Sequence, residues 1–252
     1  MKKLALCVAL ALAAGSVYAK DWSTIRFGTD ASYAPFESKA PSGRLVGFDI
    51  DLGNEICRRL NAKCEWVEQD FDGMIPGLES RKFDGALSAM TITPQREQQI
   101  AFSAPMYNTP TRLVAVKGST LQPTAESLRG KSVGVEQGTI QETYAKQNWA
   151  PKGVNVVSYQ NQDQVYQDLQ SGRLDAALQD EVQADLGFLK TPRGAGFAFA
   201  GAELPTGASA IGLRKSDTDL KAKIDQAIAA MIKDGTYKKI ESKYFDFDVY
   251  GG

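Results

Sequence analysis

No histidine occurs at any of the 252 positions. That absence excludes Ser-His-Asp and Cys-His nucleophile systems and every histidine-based metal site. Any catalysis would fall to carboxylates, Lys, Tyr or Arg, and no cofactor or metal is expected. An excess of one charge is also missing. The net charge is -1, so nothing marks a nucleic-acid partner or a polybasic membrane surface. Long apolar runs are missing too. Residues 4–14 are apolar but too short to span a bilayer, and no other segment is apolar enough. No membrane insertion of the mature chain is expected.

What is present is ordinary for a globular protein: 43% hydrophobic and 23% charged residues, in a length suited to one large domain or two small ones. Lys2 and Lys3, the apolar stretch and the small-residue site Val17-Tyr18-Ala19 read as a signal peptide over 1–19. The mature chain would start at Lys20 with a net charge of -3, since two lysines are lost. Cys7 sits well before the cleavage site and does not look like a lipoprotein anchor. The product is expected to be exported and soluble. Cleavage leaves Cys57 and Cys64, and in an oxidising compartment a lone close pair is most simply a disulfide. Such a small loop contributes about 2–3 kcal/mol in the chain-entropy model. The rival, a redox or metal pair, does not suit this spacing.

Residues 47–60 read GFDIDLGNEICRRL. Leu52, Ile56 and Leu60 have helical spacing. Asp49 is expected to precede the first turn and accept a free backbone N–H. Asp51 is expected within that turn, complementing the helix dipole. A ligand or metal role for the pair is the alternative.

Strands are expected over 24–28, 45–48, 63–67, 83–90, 131–136, 154–159 and 174–178. Helices are expected from 49, over 72–81, 140–147 and 163–171. This βαβ alternation predicts parallel sheets faced by helices. Residues 78–87, LESRKFDGAL, are echoed by 169–178, LQSGRLDAAL. Asp72 and Asp163 stand at matching offsets before the two helices. The echo predicts two similar α/β lobes whose strand ends face across a cleft, where ligands of such sheets bind.

Several polar groups fall at those ends. Asp30 follows the first strand beside Tyr33 and Phe36. Ser88, Ala89 and Thr91 end another, with Arg96 five residues beyond Thr91. Glu136 opens the turn Gln137-Gly138-Thr139, and Asp180 ends the echoed strand. An arginine that grips a carboxylate, hydroxyls and a helix N-terminus suit one end of an amino acid. A free aspartate suits its ammonium, and Asp30 and Glu136 suit a second positive charge.

These segments resemble the bacterial extracellular solute-binding proteins that serve polar amino-acid ABC transporters. GFDIDLGNEICRRL, GTDASYAPF (28–36), FDGMIPGL (71–78), MTITPQR (90–96), GRLDAALQDE (172–181) and DGTYKKIESKYFDFDVYG (234–251) carry the resemblance. It covers essentially the whole mature chain. It is strongest to lysine/arginine/ornithine- and histidine-binding members, which also carry the close cysteine pair. It implies a type II periplasmic binding protein fold, with two α/β lobes joined by a two-strand hinge and ligand held in the cleft. Lobe I would comprise 20–109 and 206–252, and lobe II 110–205. The resemblance further implies a periplasmic location, a cationic amino-acid ligand, ABC permease subunits as partners and a monomer.

By position, Arg96 would clamp the ligand α-carboxylate with the backbone N–H groups of Thr91 and Ile140. Asp180 would take the α-ammonium, assisted by Ser88 and Thr91. Tyr33 and Phe71 would sandwich the aliphatic chain, Asp30 would meet the distal charge, and Thr139 and Gln141 would line the pocket. The lysine-type pattern has serine at Ala89, threonine at Ile140 and leucine at Glu136. At Glu136 the chain resembles the arginine-specific branch, and two carboxylates suit a guanidinium's planar fork of donors. The alternative places Glu136 on the lobe surface. A stretch near 203–208 is shortened relative to the family. A dehydratase acting on prephenate or arogenate shares the fold and is the enzymatic alternative.

Overall fold

A computed structural model describes residues 21–250. The expected leader, with Cys7 and the cleavage site, lies outside the described residues. Two five-stranded sheets organise the chain. The first runs in the order Lys63–Glu68, Thr24–Thr29, Gly85–Ala86, Gly212–Leu213, Ala101–Phe102. The second runs Asn155–Tyr159, Ser132–Glu136, Ala176–Asp180, Thr111–Val116, Phe197–Leu204. In each, the first three strands are parallel, and each of the last two is antiparallel to the strand before it. Every strand of the second sheet lies between Thr111 and Leu204, whereas the first sheet draws Gly212–Leu213 from beyond it. The two crossings lie side by side, with Tyr107–Asn108 paired antiparallel to Ala208–Ser209.

The inner parallel strands are mostly buried, whereas the edge strand Lys63–Glu68 carries three charged residues and is exposed at both ends. Ala176–Asp180 is buried along its whole length. Helix Gln162–Gln170 packs Val165, Tyr166 and Leu169 inward, and Asn161 starts it by accepting the Gln164 N–H at 3.1 Å. Helix Thr218–Lys233 buries Leu220, Ile224, Ala227, Ile228 and Met231, one stripe of a 3.6-residue repeat.

The echo is structural. Gly85 and Ala86 pair with Phe27 and Gly28, and their counterparts Ala176 and Ala177 pair with Val133 and Gly134. The preceding aspartates do the same work in both lobes. Asp84 accepts the Arg26 N–H at 3.2 Å, and Asp175 accepts the Ser132 N–H at 2.8 Å. Each satisfies a donor at the lip of the neighbouring strand.

Several expectations are corrected. The helix after residue 47 spans Phe48–Arg59, so 45–48 is strand only at Leu45–Val46. Gly47 makes the entry. Its φ of 140° brings the chain so close to the Phe36 carbonyl that a Cβ would sit 2.1 Å from that oxygen. Asp49 is therefore inside the helix and caps nothing. It is fully buried, accepting the Tyr107 hydroxyl at 2.8 Å and the Ala89 N–H at 2.9 Å. Burial lifts its pKa to about 7, against those two bonds. Asp51 does lie in the first turn, where it pairs with Lys243 at 2.8 Å.

The expected strand over 83–90 shrinks to Gly85–Ala86, because the chain turns away at Ala89 with φ +45°. The helix expected over 72–81 is a 3-10 turn at Phe71–Gly73 followed by Met74–Glu79. Asp163 lies inside its helix rather than before it. Cys57 and Cys64 form a disulfide across a Cα–Cα distance of 5.7 Å.

Candidate functional site

The lobes meet face to face over the carboxyl ends of their parallel strands. Gly138 and Gly187 mark how closely. A Cβ on Gly138 would lie 2.7 Å from the Asp72 Cα, and one on Gly187 would lie 2.3 Å from the Ala34 carbonyl oxygen. Hydrogen bonds that span the cleft include Tyr33 Oη to Gln179 Oε1 at 2.8 Å, Gln160 Nε2 to Asp70 Oδ2 at 2.5 Å, and Arg96 to the Gly138 carbonyl at 2.9 Å. Between the lobes lies a small cavity lined by residues of both.

The first lobe supplies a base and two acids. Arg96 sits in the short helix Pro94–Glu97, whose start is set by Thr93 accepting the Arg96 N–H at 3.1 Å. Its guanidinium is buried, lies 5.3 Å from the centre of the Phe71 ring, and donates to the carbonyls of Thr91 and Gly138. Among the described residues no carboxylate pairs with it, and burial pulls its pKa down to about 10. Asp30 ends the first strand. Its Oδ1 accepts both the N–H and the hydroxyl of Ser32, whereas its buried Oδ2 has no donor among the described residues. Glu37 is fully buried beside Ser88, whose hydroxyl donates to it at 2.6 Å.

The second lobe supplies two more acids. Glu136 ends strand Ser132–Glu136 at 2% exposure, so it is no surface residue. Among the described residues no N–H or hydroxyl reaches its Oε1, and the carboxyl lies within hydrogen-bonding reach of Asp30 across the cleft. Thr139 donates to the Glu136 carbonyl at 2.7 Å and caps helix Ile140–Asn148 by accepting the Glu142 N–H at 3.1 Å. Ile140 thus opens a helix at the cavity. Gln141 donates to Thr111 at 3.1 Å. Asp180 caps Glu181–Ala184 through the N–H groups of Val182 and Gln183, and takes a short hydrogen bond from Thr109 at the hinge.

Electrostatically the cavity holds four acids against one base. Burial raises all four acids. Glu136 is lifted further by the charge of Asp30, and Glu37 by that of Asp49. Asp180 reaches only about 6, because Thr109 and two backbone N–H groups stabilise its charge. Buried charge without a partner is costly. The arrangement is therefore complementary to a molecule with one negative and more than one positive group.

All twelve residues expected at the site line this one cavity: Asp30, Tyr33, Phe71, Ser88, Ala89, Thr91, Arg96, Glu136, Thr139, Ile140, Gln141 and Asp180. Glu37 lines it as well and escaped the sequence reading. It pairs directly with Tyr33 across the hairpin of Ser32–Tyr33 and Glu37–Lys39, so both side chains share a face. Nothing in the local sequence announces that register.

The fold and cavity define a two-lobed α/β protein of the type II periplasmic-binding-protein kind. Residues 25–247 match the family described as bacterial extracellular solute-binding proteins, family 3, and the chain belongs to that family. It is 53% identical over 253 residues to the lysine/arginine/ornithine-binding periplasmic protein of Escherichia coli (strain K12), covering 98% of this chain and 97% of the relative. It is 50% identical over 260 residues to the histidine-binding periplasmic protein of the same strain, covering 100% of both. Among solved structures, an ancestral arginine-binding protein bound to arginine superposes with a TM-score of 0.83 at 40% identity, over 88% of this chain and 98% of that one. No helix among the described residues is long and apolar enough to cross a membrane.

Proposed function

We propose that the protein captures a cationic L-amino acid in the periplasm, arginine foremost, then lysine or ornithine and histidine, and delivers it to the membrane subunits of an ABC importer. The observation that carries this reading is one buried arginine without a carboxylate, facing acids whose oxygens lack donors. Arg96 takes the α-carboxylate, with the N–H groups of Thr91 and Ile140. Asp180 takes the α-ammonium, having lone-pair capacity beyond its three present donors. Asp30 and Glu136 take the distal cation, and a guanidinium's several donors match their two free oxygens. Tyr33 and Phe71 flank the aliphatic chain.

Capture proceeds by closure. Ligand bridges the half-sites and shifts the population toward the form in which the lobes touch. Lobe I comprises 20–109 and 206–252 and lobe II 110–205, a division supported by sheet membership and the paired crossings. The chain acts as a monomer, exported by its signal peptide. The relatives named above are binding proteins, so the dehydratase alternative has the weaker support.

Calorimetric titration tests this on mature protein that has been unfolded and refolded to strip carried ligand. The titrants are L-arginine, L-lysine, L-ornithine, L-histidine and L-glutamine. One-to-one binding led by arginine is the expected result. Equal binding of lysine or ornithine would remove Glu136 from the recognition set, and no binding of any cationic amino acid would overturn the reading.

A further inference from the structure

Ser88 lines the cavity, and its hydroxyl is already engaged twice. A serine hydroxyl has one proton and two lone pairs. The proton goes to Glu37 Oε1 at 2.6 Å, and one lone pair accepts the Asp30 N–H at 2.9 Å. What remains for a bound molecule is a single lone pair. Glu37 is 0% exposed, and its Oε2 has no donor among the described residues.

We propose that Glu37 is a positioning residue that holds the Ser88 proton and so makes Ser88 an obligate acceptor toward the cavity, selecting ligands that present a cationic N–H there. The inference rests on the cationic amino-acid reading above, and it adds a residue that acts through Ser88 rather than by touching ligand. Its converse is equally definite. If Glu37 takes a proton on Oε1, it donates to Ser88. Ser88 then turns its own proton into the cavity, and an ammonium meets a donor instead of an acceptor.

The groups around Glu37 favour that proton. Asp49 on helix Phe48–Arg59, Asp30 at the end of the first strand and Glu136 across the cleft are acids that act on it. Its charge is felt in turn by the Tyr33 and Tyr107 hydroxyls. Burial and the Asp49 charge push its pKa well above the ordinary carboxylate value, with the Ser88 bond opposing them. A ligand cation brought close opposes that shift and favours the ionised Glu37 that holds the Ser88 proton.

The test is a double-mutant cycle with L-arginine as the titrant, measured by calorimetry on the refolded mature protein. Glu37→Leu should weaken arginine binding about tenfold or more in the Ser88 protein, yet less than about threefold in the Ser88→Ala background. Equal weakening in both backgrounds overturns the proposal, since Glu37 would then act without Ser88. Glu37→Gln covers the case in which leucine is not accommodated. Its side-chain carbonyl can still accept the Ser88 proton, so Glu37→Gln should keep arginine affinity within about threefold of the wild type. A loss as large as that of Glu37→Leu overturns the proposal. Failure of the wild-type protein to bind arginine would instead count against the functional reading itself.

Discussion

The two echoed units, 78–87 and 169–178, begin alike and end differently. Each enters its sheet through a turn. Each places an aspartate on the neighbouring strand's N–H, at equivalent registers. Beyond that point they part. In the second lobe the strand continues to Asp180 and passes directly into a capped helical turn, leaving a carboxylate at the cavity. In the first, the strand stops after two residues. Ala89 adopts φ +45°, held by Asp49, and presents Ser88 and Thr91 instead. The shared part is scaffold and the divergent part is site. A duplicated α/β frame brings two strand ends together, and the residues just past each end decide what the cleft binds.

The largest effect that would sharpen this comparison concerns the two aspartates. Asp84 also pairs with the buried Arg214 at 2.8 Å, where both side chains are under 10% exposed. Asp84→Ala should cost about 3–5 kcal/mol in chemical denaturation, because it removes charge-assisted hydrogen bonds from both Arg214 and Arg26 and leaves Arg214 with Asp217 alone as a carboxylate partner among the described residues. Asp175, more than a third exposed and paired with the exposed Lys131, should cost only about 1 kcal/mol. Equal losses would show that the echo extends to energetics as well as geometry.

Arg96→Ala should weaken L-arginine binding by about 2–5 kcal/mol in calorimetry, leaving the ligand carboxylate buried and unpaired. Glu136→Leu should be milder and selective, lowering arginine affinity about tenfold and lysine affinity less, as expected for one charge-assisted hydrogen bond. Equal losses for both ligands would make Glu136 a source of general negative potential.

The smallest expected effect is that of pH. Asp180 at about 6 and Asp49 at about 7 both lie above their unfolded values. The folded protein therefore binds more protons than the unfolded chain between roughly pH 4 and 7, so its stability falls as pH rises through that window. The ligand-free protein should melt a few degrees higher at pH 5.5 than at pH 7.5. Arginine affinity should move the opposite way, because the cation favours ionised acids. A melting temperature that rises with pH would show that other groups dominate.

The strand-helix alternation, the echo, the cysteine pair and the twelve cavity residues were legible in the chain. Alternation and spacing are local patterns, and the family motifs carry position-by-position correspondence. Element ends were less legible. The start of the helix at Phe48 depends on Gly47 fitting against Phe36, and the early end of the strand at Ala86 depends on Asp49 reaching the Ala89 N–H. Asp49 itself looked like a helix-starting residue, because a one-residue shift in helix entry is invisible in an amphipathic pattern. Glu37 was missed because its place follows from hairpin pairing with Tyr33.

By itself, the sequence determined the class of the protein: a histidine-free α/β chain with a duplicated unit and a set of charged residues at its strand ends. Only the tertiary structure decided how those charges are matched. Among the described residues, burial leaves Arg96 without a carboxylate partner, leaves oxygens of Asp30, Glu136 and Glu37 without an N–H or hydroxyl donor, and commits the Ser88 proton. Burial is a property of two lobes closing over one another, which residues far apart along the chain bring about together.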